Sequence, residues 1–243
     1  MYKPLISVIT VCRNVLPALQ NTAASVKEQT FTDYEYIIVD GASTDQTVEW
    51  LQQQEGIIWI SEPDQGIYDA MNKGVRMAKG RWVIFMNAGD TFFTKDVLAQ
   101  VEPYLHGGDY MVYGDIVKER KGKDIVKRAG KPRNAHRMIC CHQALFTQTR
   151  LLRATPFDTS HPLSADFKFC KQMYLRNVRM RHIPVVIARF DTQGVSHTRL
   201  IDGLNDNIAV IMETDARSFT RSWFIFRLQC KIKWIELRQR HTR

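Results

Sequence analysis

The segment Leu5-Ile6-Ser7-Val8-Ile9-Thr10-Val11 is a nearly continuous run of apolar and β-branched residues. Such runs are typical of strands that are buried on both faces of a parallel sheet. Further strand-like segments follow at residues 36–39, 57–60 and 81–86, and helix-like segments separate them at residues 16–29, 44–54 and 69–78. This β-α-β-α-β-α-β order predicts an α/β fold with a right-handed, doubly wound, mostly parallel sheet.

Polar side chains follow each predicted strand at the point where it ends. In chain order they are Asn14, Asp40, Glu62, Asp64, Asn87 and Asp90. The carboxyl ends of the strands of a doubly wound sheet meet at one edge, and ligands bind there. Asn and Asp are also common in ordinary turns, but their recurrence after four strands favours a binding site.

Two common phosphate-binding motifs are missing from the sequence, and this limits how the edge could hold a nucleotide. Neither G-x-G-x-x-G after the first strand nor G-x-x-x-x-G-K-[ST] occurs, so a dinucleotide cradle of that type and a P-loop are excluded. Acidic strand ends repel a bare diphosphate. A divalent cation, Mg²⁺ or Mn²⁺, would bridge carboxylates to phosphates and stabilise a leaving diphosphate.

The composition describes an ordinary globular chain of 243 residues with 44% hydrophobic and 24% charged residues, enough for one large domain or a domain with an appendage. The net charge of +9 is unevenly distributed, because residues 118–137 and residues 217–243 each carry +7 and the remaining chain carries −5. This pattern excludes a uniformly basic nucleic-acid coat. No recognised nucleic-acid-binding module accompanies the basic segments, so we expect no nucleic acid partner.

Sequence features also predict the cellular location. The apolar runs, such as residues 223–226, are far shorter than the roughly 20 residues of a membrane-spanning helix. The apolar N-terminus reaches Arg13 and Asn14 without a small-residue cleavage site, which argues against a signal peptide. Five cysteines without metal-ligand spacing suit reduced thiols. We therefore expect a cytoplasmic protein.

Four segments together resemble the inverting family 2 glycosyltransferases of the GT-A fold, bacterial enzymes that build surface polysaccharides. They are ITVCRN at residues 9–14, DGASTDQT at 40–47, SEPDQGIYDAMNKG at 61–74 and FMNAGD at 85–90. Their order and spacing also match, and the resemblance extends over about residues 4–200. It implies a nucleoside diphosphate sugar as the donor and a saccharide as the acceptor.

The resemblance also implies roles for the polar residues at the strand ends. Asp40 would accept a hydrogen bond from the base, which suits the imide N–H of uracil and favours a UDP-sugar, although guanine stays open. Glu62 and Asp64 would lie near the base and ribose. The remaining residues implied in nucleotide-sugar binding are Thr10, Asn14, Asn72 and Asn87.

The implied metal site departs from the common pattern of the family. Where the family often has Asp-x-Asp-Asp, this chain has Asn87-Ala88-Gly89-Asp90, so Asp90 alone would hold Mn²⁺ or Mg²⁺. His197, in a segment that resembles a late family motif, is a candidate to complete the metal shell. The alternatives are that residues 87–90 form a plain turn in a metal-independent enzyme and that His197 is an ordinary surface or core histidine.

Asp166 aligns with the family's general base, in the stretch Ser164-Ala165-Asp166-Phe167. An inverting transfer is a single displacement at the anomeric carbon, so a carboxylate opposite the leaving phosphate must take the proton of the acceptor hydroxyl. The family often has Glu-Asp here, and Ala165 replaces the glutamate. Asp166 could instead cap the helix that follows, and Asp158 is the reserve candidate.

The resemblance and the charge distribution together predict the domain organisation. A GT-A domain would comprise residues 1–215, with a nucleotide-sugar-binding half at 1–115 and an acceptor and catalytic half at 138–200. Residues 118–137 read as a flexible or hairpin-like insertion, either a lid over the donor diphosphate or a solvated loop. Residues 216–243 form a basic amphipathic C-terminal segment.

This C-terminal segment has the composition of an interfacial helix. On a helix, one apolar face would contain Trp223, Phe226, Cys230, Trp234 and Leu237, with Arg227, Lys231 and Arg238 adjacent to it. Such helices lie on anionic membrane surfaces, which predicts peripheral association with the inner face of the cytoplasmic membrane. A core-packed final helix and a strand are the alternatives.

The sequence therefore predicts a metal-dependent inverting glycosyltransferase. It would move a hexose-type unit from a nucleoside diphosphate sugar to a saccharide acceptor, lipid-linked in this interpretation, during exopolysaccharide, O-antigen or capsule-type biosynthesis. The second hypothesis is a nucleotide-sugar-binding regulatory or scaffold subunit with weakened catalysis, suggested by the thinned acidic motif and the absence of a glutamate beside Asp166.

Overall fold

Strand β1 (Ile6–Cys12) lies at the centre of the parallel half of the sheet. In the computed structural model, which describes residues 3–120, 122–191 and 199–241, β1 pairs in parallel with β2 (Tyr34–Asp40) and with β4 (Trp82–Phe85), and β3 (Ile57–Ser61) extends the sheet beyond β2. All seven residues of β1 are buried. Its apolar run therefore reflects burial on both faces of the sheet.

Three helices connect these strands and confirm the predicted order: α1 (Leu16–Lys27), α2 (Thr47–Gln52) and α3 (Ile67–Met77). Helix α3 packs closely against β1. A Cβ on Gly74 would lie 2.5 Å from the Cγ2 atom of Ile9, so glycine is required for this approach. The close packing brings the first turn of α3, with Tyr68, to the carboxyl edge of the sheet.

In the ranges that the structure describes, the second half of the chain completes a mixed sheet and adds five helices. Its elements are β5 (Thr91–Phe92), α4 (Val97–Val101), a 3₁₀ turn (Glu102–Tyr104), β6 (Met111–Arg120), β7 (Lys123–Lys127), a second 3₁₀ turn (His142–Ala144), β8 (Leu145–Gln148), α5 (Thr149–Ala154), α6 (Ala165–Leu175), β9 (Met180–Phe190), α7 (Leu200–Thr214) and α8 (Phe219–His241). The first part of the predicted insertion is a hairpin, because β6 and β7 pair antiparallel.

The strand order of the sheet is β3-β2-β1-β4-β8-β6-β9-β5, with β7 paired to β6. Strand β8 runs antiparallel to both β4 and β6. The start of β8 therefore lies at the same edge as the carboxyl ends of β4 and β6. Strand β9 is parallel to β6 and also ends there, so this edge collects segments that are far apart in the chain.

The core consists of three apolar clusters. Two of them cover the two faces of the sheet, one with α1 and α4 and the other with α3 and α6. The third joins Phe167 of α6, Leu204 and Ile211 of α7, and Leu228 and Ile232 of α8. Because burying one such aliphatic side chain contributes about 1.5–3 kcal/mol, α8 is anchored to the domain.

The mostly parallel α/β sheet, its mixed extension and the helical C-terminal segment confirm the predicted fold class. Among the helices in the described ranges, none is both long enough and apolar enough to cross a membrane.

Candidate active site

A series of hydrogen bonds crosses the carboxyl edge of the sheet and ends at Asp166. The Nδ2 atom of Asn87 lies 2.9 Å from Nε2 of His142, and Nδ1 of His142 lies 3.2 Å from Oδ2 of Asp166. The Tyr68 hydroxyl donates to Oδ1 of the same carboxylate over 2.8 Å. Because an amide nitrogen only donates, Nε2 of His142 accepts and its Nδ1–H donates to Asp166.

Helix α6 places Asp166 at its N-terminal turn. The carboxylate also accepts the backbone N–H of Phe167 at 2.7 Å, so Asp166 both contacts the helix start and faces the edge. Burial by itself would raise the pKa of Asp166, but the hydrogen bonds from His142, Tyr68 and the backbone N–H of Phe167 outweigh it and hold the pKa below its usual value. Asp166 is therefore a carboxylate at neutral pH, as a general base must be.

Asp90 lies in a more enclosed position on the same edge. Its Oδ1 accepts the backbone N–H of Asp191 at 2.8 Å, and its Oδ2 accepts Nε2 of Gln143 at 2.8 Å. Burial is the main influence on this group and raises the pKa of Asp90 to about 6, although both hydrogen bonds oppose the rise.

Two buried oxygens near Asp90 have no hydrogen-bond partner in the described part of the chain: Oδ1 of Asn87 and Oε1 of Gln143. Buried polar atoms are almost always paired, so these oxygens indicate an absent ligand. The Asp191 carboxylate lies next to Gly89, with Oδ2 2.6 Å from the position that a Cβ would occupy. These hard oxygen donors form a set that can hold a divalent cation.

A second polar cluster lies at the ends of β1, β2 and β3. Asp40 is fully buried and accepts hydrogen bonds from the Ser43 backbone N–H at 2.9 Å and from the Ser61 hydroxyl at 2.6 Å. The Oδ2 atom of Asp64 packs against Gly41. Asn14 accepts the backbone N–H of Thr44 at 2.7 Å. The structure thus brings three of the predicted nucleoside-binding residues together, and their contacts with a base stay a prediction.

Three other predicted binding residues make contacts within the protein. Thr10 is fully buried and donates to the carbonyl oxygen of Met86 at 2.7 Å. Glu62 forms an ion pair with Lys73 at 2.9 Å. Asn72 pairs with both backbone groups of Phe157 at 2.8 and 2.9 Å. Their predicted role toward the nucleotide sugar stays a prediction, and His197 lies outside the described residues.

The reserve candidate for the base, Asp158, has a cation beside it. The Lys168 ammonium lies 2.6 Å from its Oδ2 and also contacts Glu213. The hydrogen bond from Lys168 holds the pKa of Asp158 well below its usual value. His161 bridges Asp206 and Glu213 nearby. These ion pairs connect the loop before α6 to α7.

Four residues at this edge carry no role predicted from the sequence, namely Tyr68, His142, Gln143 and Asp191. Tyr68 lies in the motif at residues 61–74, whereas the other three lie in none of the four motifs quoted above. These residues contact partners between 24 and 101 residues away in the chain, and periodicity cannot reveal such pairs.

Helix α8 has two opposite apolar faces. Phe224, Ile225, Leu228, Ile232 and Ile235 pack toward the third core cluster. Phe219, Trp223, Phe226, Trp234 and Leu237 are exposed, and at ~100° per residue they lie within about 80° of one another. Arg227, Lys231 and Arg238 occupy one flank of this exposed stripe and Lys233 the other. Helix α8 is therefore core-packed on one face and exposed on the opposite apolar face, and contact of the exposed face with a membrane stays a prediction.

Comparisons with known proteins agree with this geometry. The family described as "Glycosyl transferase family 2" matches residues 7–179. A PGL/p-HBAD biosynthesis glycosyltransferase of Mycobacterium tuberculosis (strain ATCC 25177 / H37Ra) is 30% identical over 216 residues, which are 86% of this chain and 82% of the relative.

Two solved structures share the fold. The first 349 residues of S. aureus TarS, in complex with UDP, superpose with a TM-score of 0.66 at 16% identity, over 92% of this chain and 70% of that one. The mannosyltransferase PcManGT from Pyrobaculum calidifontis, in complex with GDP-Man and Mn²⁺, gives a TM-score of 0.69 at 18% identity, over 96% and 70% of the two chains. The chain therefore belongs to family 2 of the glycosyltransferases and has their GT-A fold.

Proposed function

We propose that this enzyme transfers a sugar with inversion from a nucleoside diphosphate sugar, preferably a UDP-sugar, to a saccharide acceptor on a lipid carrier. The observation that carries the proposal is the Asp166 carboxylate, which His142 and Tyr68 hold at the carboxyl edge with a lowered pKa. A role in surface polysaccharide assembly agrees with a further relative, the putative teichuronic acid biosynthesis glycosyltransferase TuaG of Bacillus subtilis (strain 168), which is 37% identical over 106 residues.

The transfer is a single displacement with Asp166 as the base. The acceptor hydroxyl oxygen forms a bond to the anomeric carbon while the bond from that carbon to the diphosphate oxygen breaks. The electron pair of the broken bond leaves with the nucleoside diphosphate, and the hydroxyl proton passes to Asp166. The hydrogen bonds from His142 and Tyr68 orient the carboxylate before the reaction begins. No further loss of its conformational entropy is then needed to reach the transition state.

A divalent cation, Mn²⁺ or Mg²⁺, fits the residues around Asp90. We assign Asp90, the unpartnered Oδ1 of Asn87 and the carboxylate of Asp191 as its protein ligands. The family motif often has an aspartate at the position of Gly89, and Asp191 would supply a carboxylate in its place. When bound, the cation would neutralise the charge that develops on the leaving diphosphate. The complex of PcManGT with GDP-Man and Mn²⁺ supports the use of a divalent cation by enzymes of this fold.

The exposed stripe of α8 would rest on the inner face of the cytoplasmic membrane. Its aromatic side chains suit the headgroup level of a bilayer, and basic residues flank it on both sides. Each basic side chain near an anionic leaflet contributes on the order of 1 kcal/mol. Reversible attachment of this kind would bring the active site to a lipid-linked acceptor.

Replacing Asp166 by Asn should lower transfer by about 10²- to 10⁴-fold, because the base is lost, while UDP binding measured by thermal shift stays at the wild-type level. The matched control is Asp158→Asn, which removes a neighbouring carboxylate that is paired with Lys168 and should retain turnover. The assay measures UDP release from a panel of donors. Normal turnover by Asp166→Asn would exclude the base role, and a wild-type enzyme that binds UDP but never turns over would support a regulatory subunit instead.

Replacing His142 by Ala should shift the acidic limb of the pH dependence of kcat/KM to higher pH. In the folded enzyme the pKa of Asp166 is lowered, so the base is active down to a correspondingly low pH. Loss of the His142 hydrogen bond raises that pKa, and activity is then lost earlier as the pH falls. Tyr68→Phe should shift the limb in the same direction. An unchanged limb in both variants would contradict this prediction.

Replacing Asp90 by Asn should weaken Mn²⁺ binding by at least about tenfold, because a charged ligand becomes neutral. The measurement is the additional rise in Tm that Mn²⁺ produces in the presence of UDP. Glu28→Gln, an exposed acid that follows α1, is the control and should retain the full rise. The same Mn²⁺ response in Asp90→Asn and in the wild type would refute the metal assignment.

Replacing Trp223, Phe226 and Trp234 together by Ser should abolish flotation with liposomes of phosphatidylcholine and phosphatidylglycerol at low salt. These residues lie on the exposed stripe, so the fold should be retained. Ile58→Ser, at an exposed position on the edge strand β3, is the control and should float like the wild type. Absence of wild-type binding at low salt, where charge attraction is strongest, would overturn the membrane proposal.

A further inference from the structure

A cavity of about 180 Å³ opens beside the active site between the β6–β7 hairpin and the segment that returns to β8. Four of its lining side chains are basic: Lys127, Arg128, Arg133 and Arg137. None of the described residues that line it is acidic. We call it the basic cavity. Its volume is below that of pockets for drug-sized ligands, so it suits one charged group of a larger molecule.

The walls of the basic cavity are anchored to the domain. The Tyr113 hydroxyl donates to the carbonyl oxygen of Gly130 at 2.8 Å, and the backbone N–H of Ala129 donates to Asp115 at 2.9 Å. On the opposite wall, the buried ammonium of Lys171 donates to the carbonyl oxygen of Ala135 at 3.2 Å and contacts Asn134. The cavity is thus part of the folded domain, and its arginines project from fixed backbone.

The two basic segments of the sequence approach each other at His136, whose chain neighbours Ala135 and Arg137 line this cavity. His136 lies between two of its arginines in the chain, and its ring centroid is 5.5 Å from that of Phe224 in α8. Burial and the charges of Arg227, Arg137, Arg133 and Lys231 lower the pKa of His136. Cations from residues 118–137 and from α8 therefore surround the same point, and their mutual repulsion favours a bound anion.

One end of the cavity adjoins the base. Cys140 and Cys141 line it, and the next residue is His142, which hydrogen-bonds Asp166 at 3.2 Å. On the side of α8, the flanking residues Arg227 and Lys231 border the exposed aromatic stripe. The segment that lines the cavity therefore runs from His136, which contacts α8, to His142, which contacts Asp166.

We propose that the basic cavity binds a phosphate or diphosphate group carried by the acceptor. This inference rests on the proposed sugar transfer, because it assigns the anion to the acceptor rather than to the donor. The donor diphosphate belongs to the other side of His142, at Asn87 and Asp90. Arginine forks bind phosphate oxygens through paired, charge-assisted hydrogen bonds, and the anionic group would fix the acceptor with its sugar at Asp166.

Calorimetric titration with inorganic diphosphate in EDTA tests the proposal on the whole chain. The double variant Arg133→Gln/Arg137→Gln should bind at least about tenfold more weakly than the wild type, because two charge-assisted contacts are lost. The control is Arg81→Gln/Arg150→Gln, which removes equal charge from a groove at the opposite edge of the sheet and should bind normally. Equal affinity of wild type and Arg133→Gln/Arg137→Gln, equal losses in both variants, or competition by UDP would overturn it.

Two further probes identify the source of the anion. Tighter binding of geranyl diphosphate than of inorganic diphosphate would assign the group to a lipid-linked acceptor, and tighter binding of glucose 1-phosphate would assign it to a phosphorylated saccharide; either result supports the anion site. The rise in Tm with UDP and Mn²⁺ tests the proposed sugar transfer separately from the cavity proposal. If this rise persists without arginine-dependent diphosphate binding, only the cavity proposal fails, whereas its absence in the wild type counts against the proposed function.

Discussion

The imidazole of His142 joins the two halves of this glycosyltransferase. Through Nε2 it accepts from Asn87 in the turn after β4, and through Nδ1 it donates to Asp166 at the start of α6. The His142 ring therefore helps to set the position of Asp166 relative to the turn at residues 87–90. Asn72 strengthens the junction, because its side chain pairs with both backbone groups of Phe157 in the segment that leads to α6. Small displacements of a catalytic group reduce rates strongly, so these side-chain contacts would position Asp166 for its proposed role as the base.

The antiparallel strand β8 explains why this junction exists. Its position between β4 and β6 brings residues 140–144 to the edge where β4 ends. Gln143 can then hold Asp90, and His142 can reach both Asn87 and Asp166. Strand β9 ends at the same edge and places Asp191 beside Gly89, so a carboxylate from a distant segment lies where the acidic motif itself lacks one.

The distribution of charge over the protein is more informative than its net charge. The net charge of +9 comes from two basic segments on an acidic body, and the fold brings both segments to one side of the active site around His136. Helix α8 contributes basic residues to this region. One of its apolar faces packs against the domain core, and the opposite face is exposed to solvent. In the proposed function, the cationic residues near His136 and the exposed aromatic stripe would both serve the acceptor.

The sequence by itself determined the order of strands and helices in the first half. Strands buried on both faces of a parallel sheet and amphipathic helices both produce patterns among residues that are close together in the chain. It also located the carboxyl edge, and its motifs indicated Asp166 and Asp90. Only the tertiary structure decided which residues hold these carboxylates, since Tyr68 and Asp166 are 98 positions apart and Asp90 and Asp191 are 101 apart. It likewise decided that α8 is both anchored and exposed, because an amphipathic pattern does not reveal which apolar face finds a partner. Local sequence patterns indicate whether a residue is buried or exposed. Which residue it contacts depends on how the strands are arranged in the sheet.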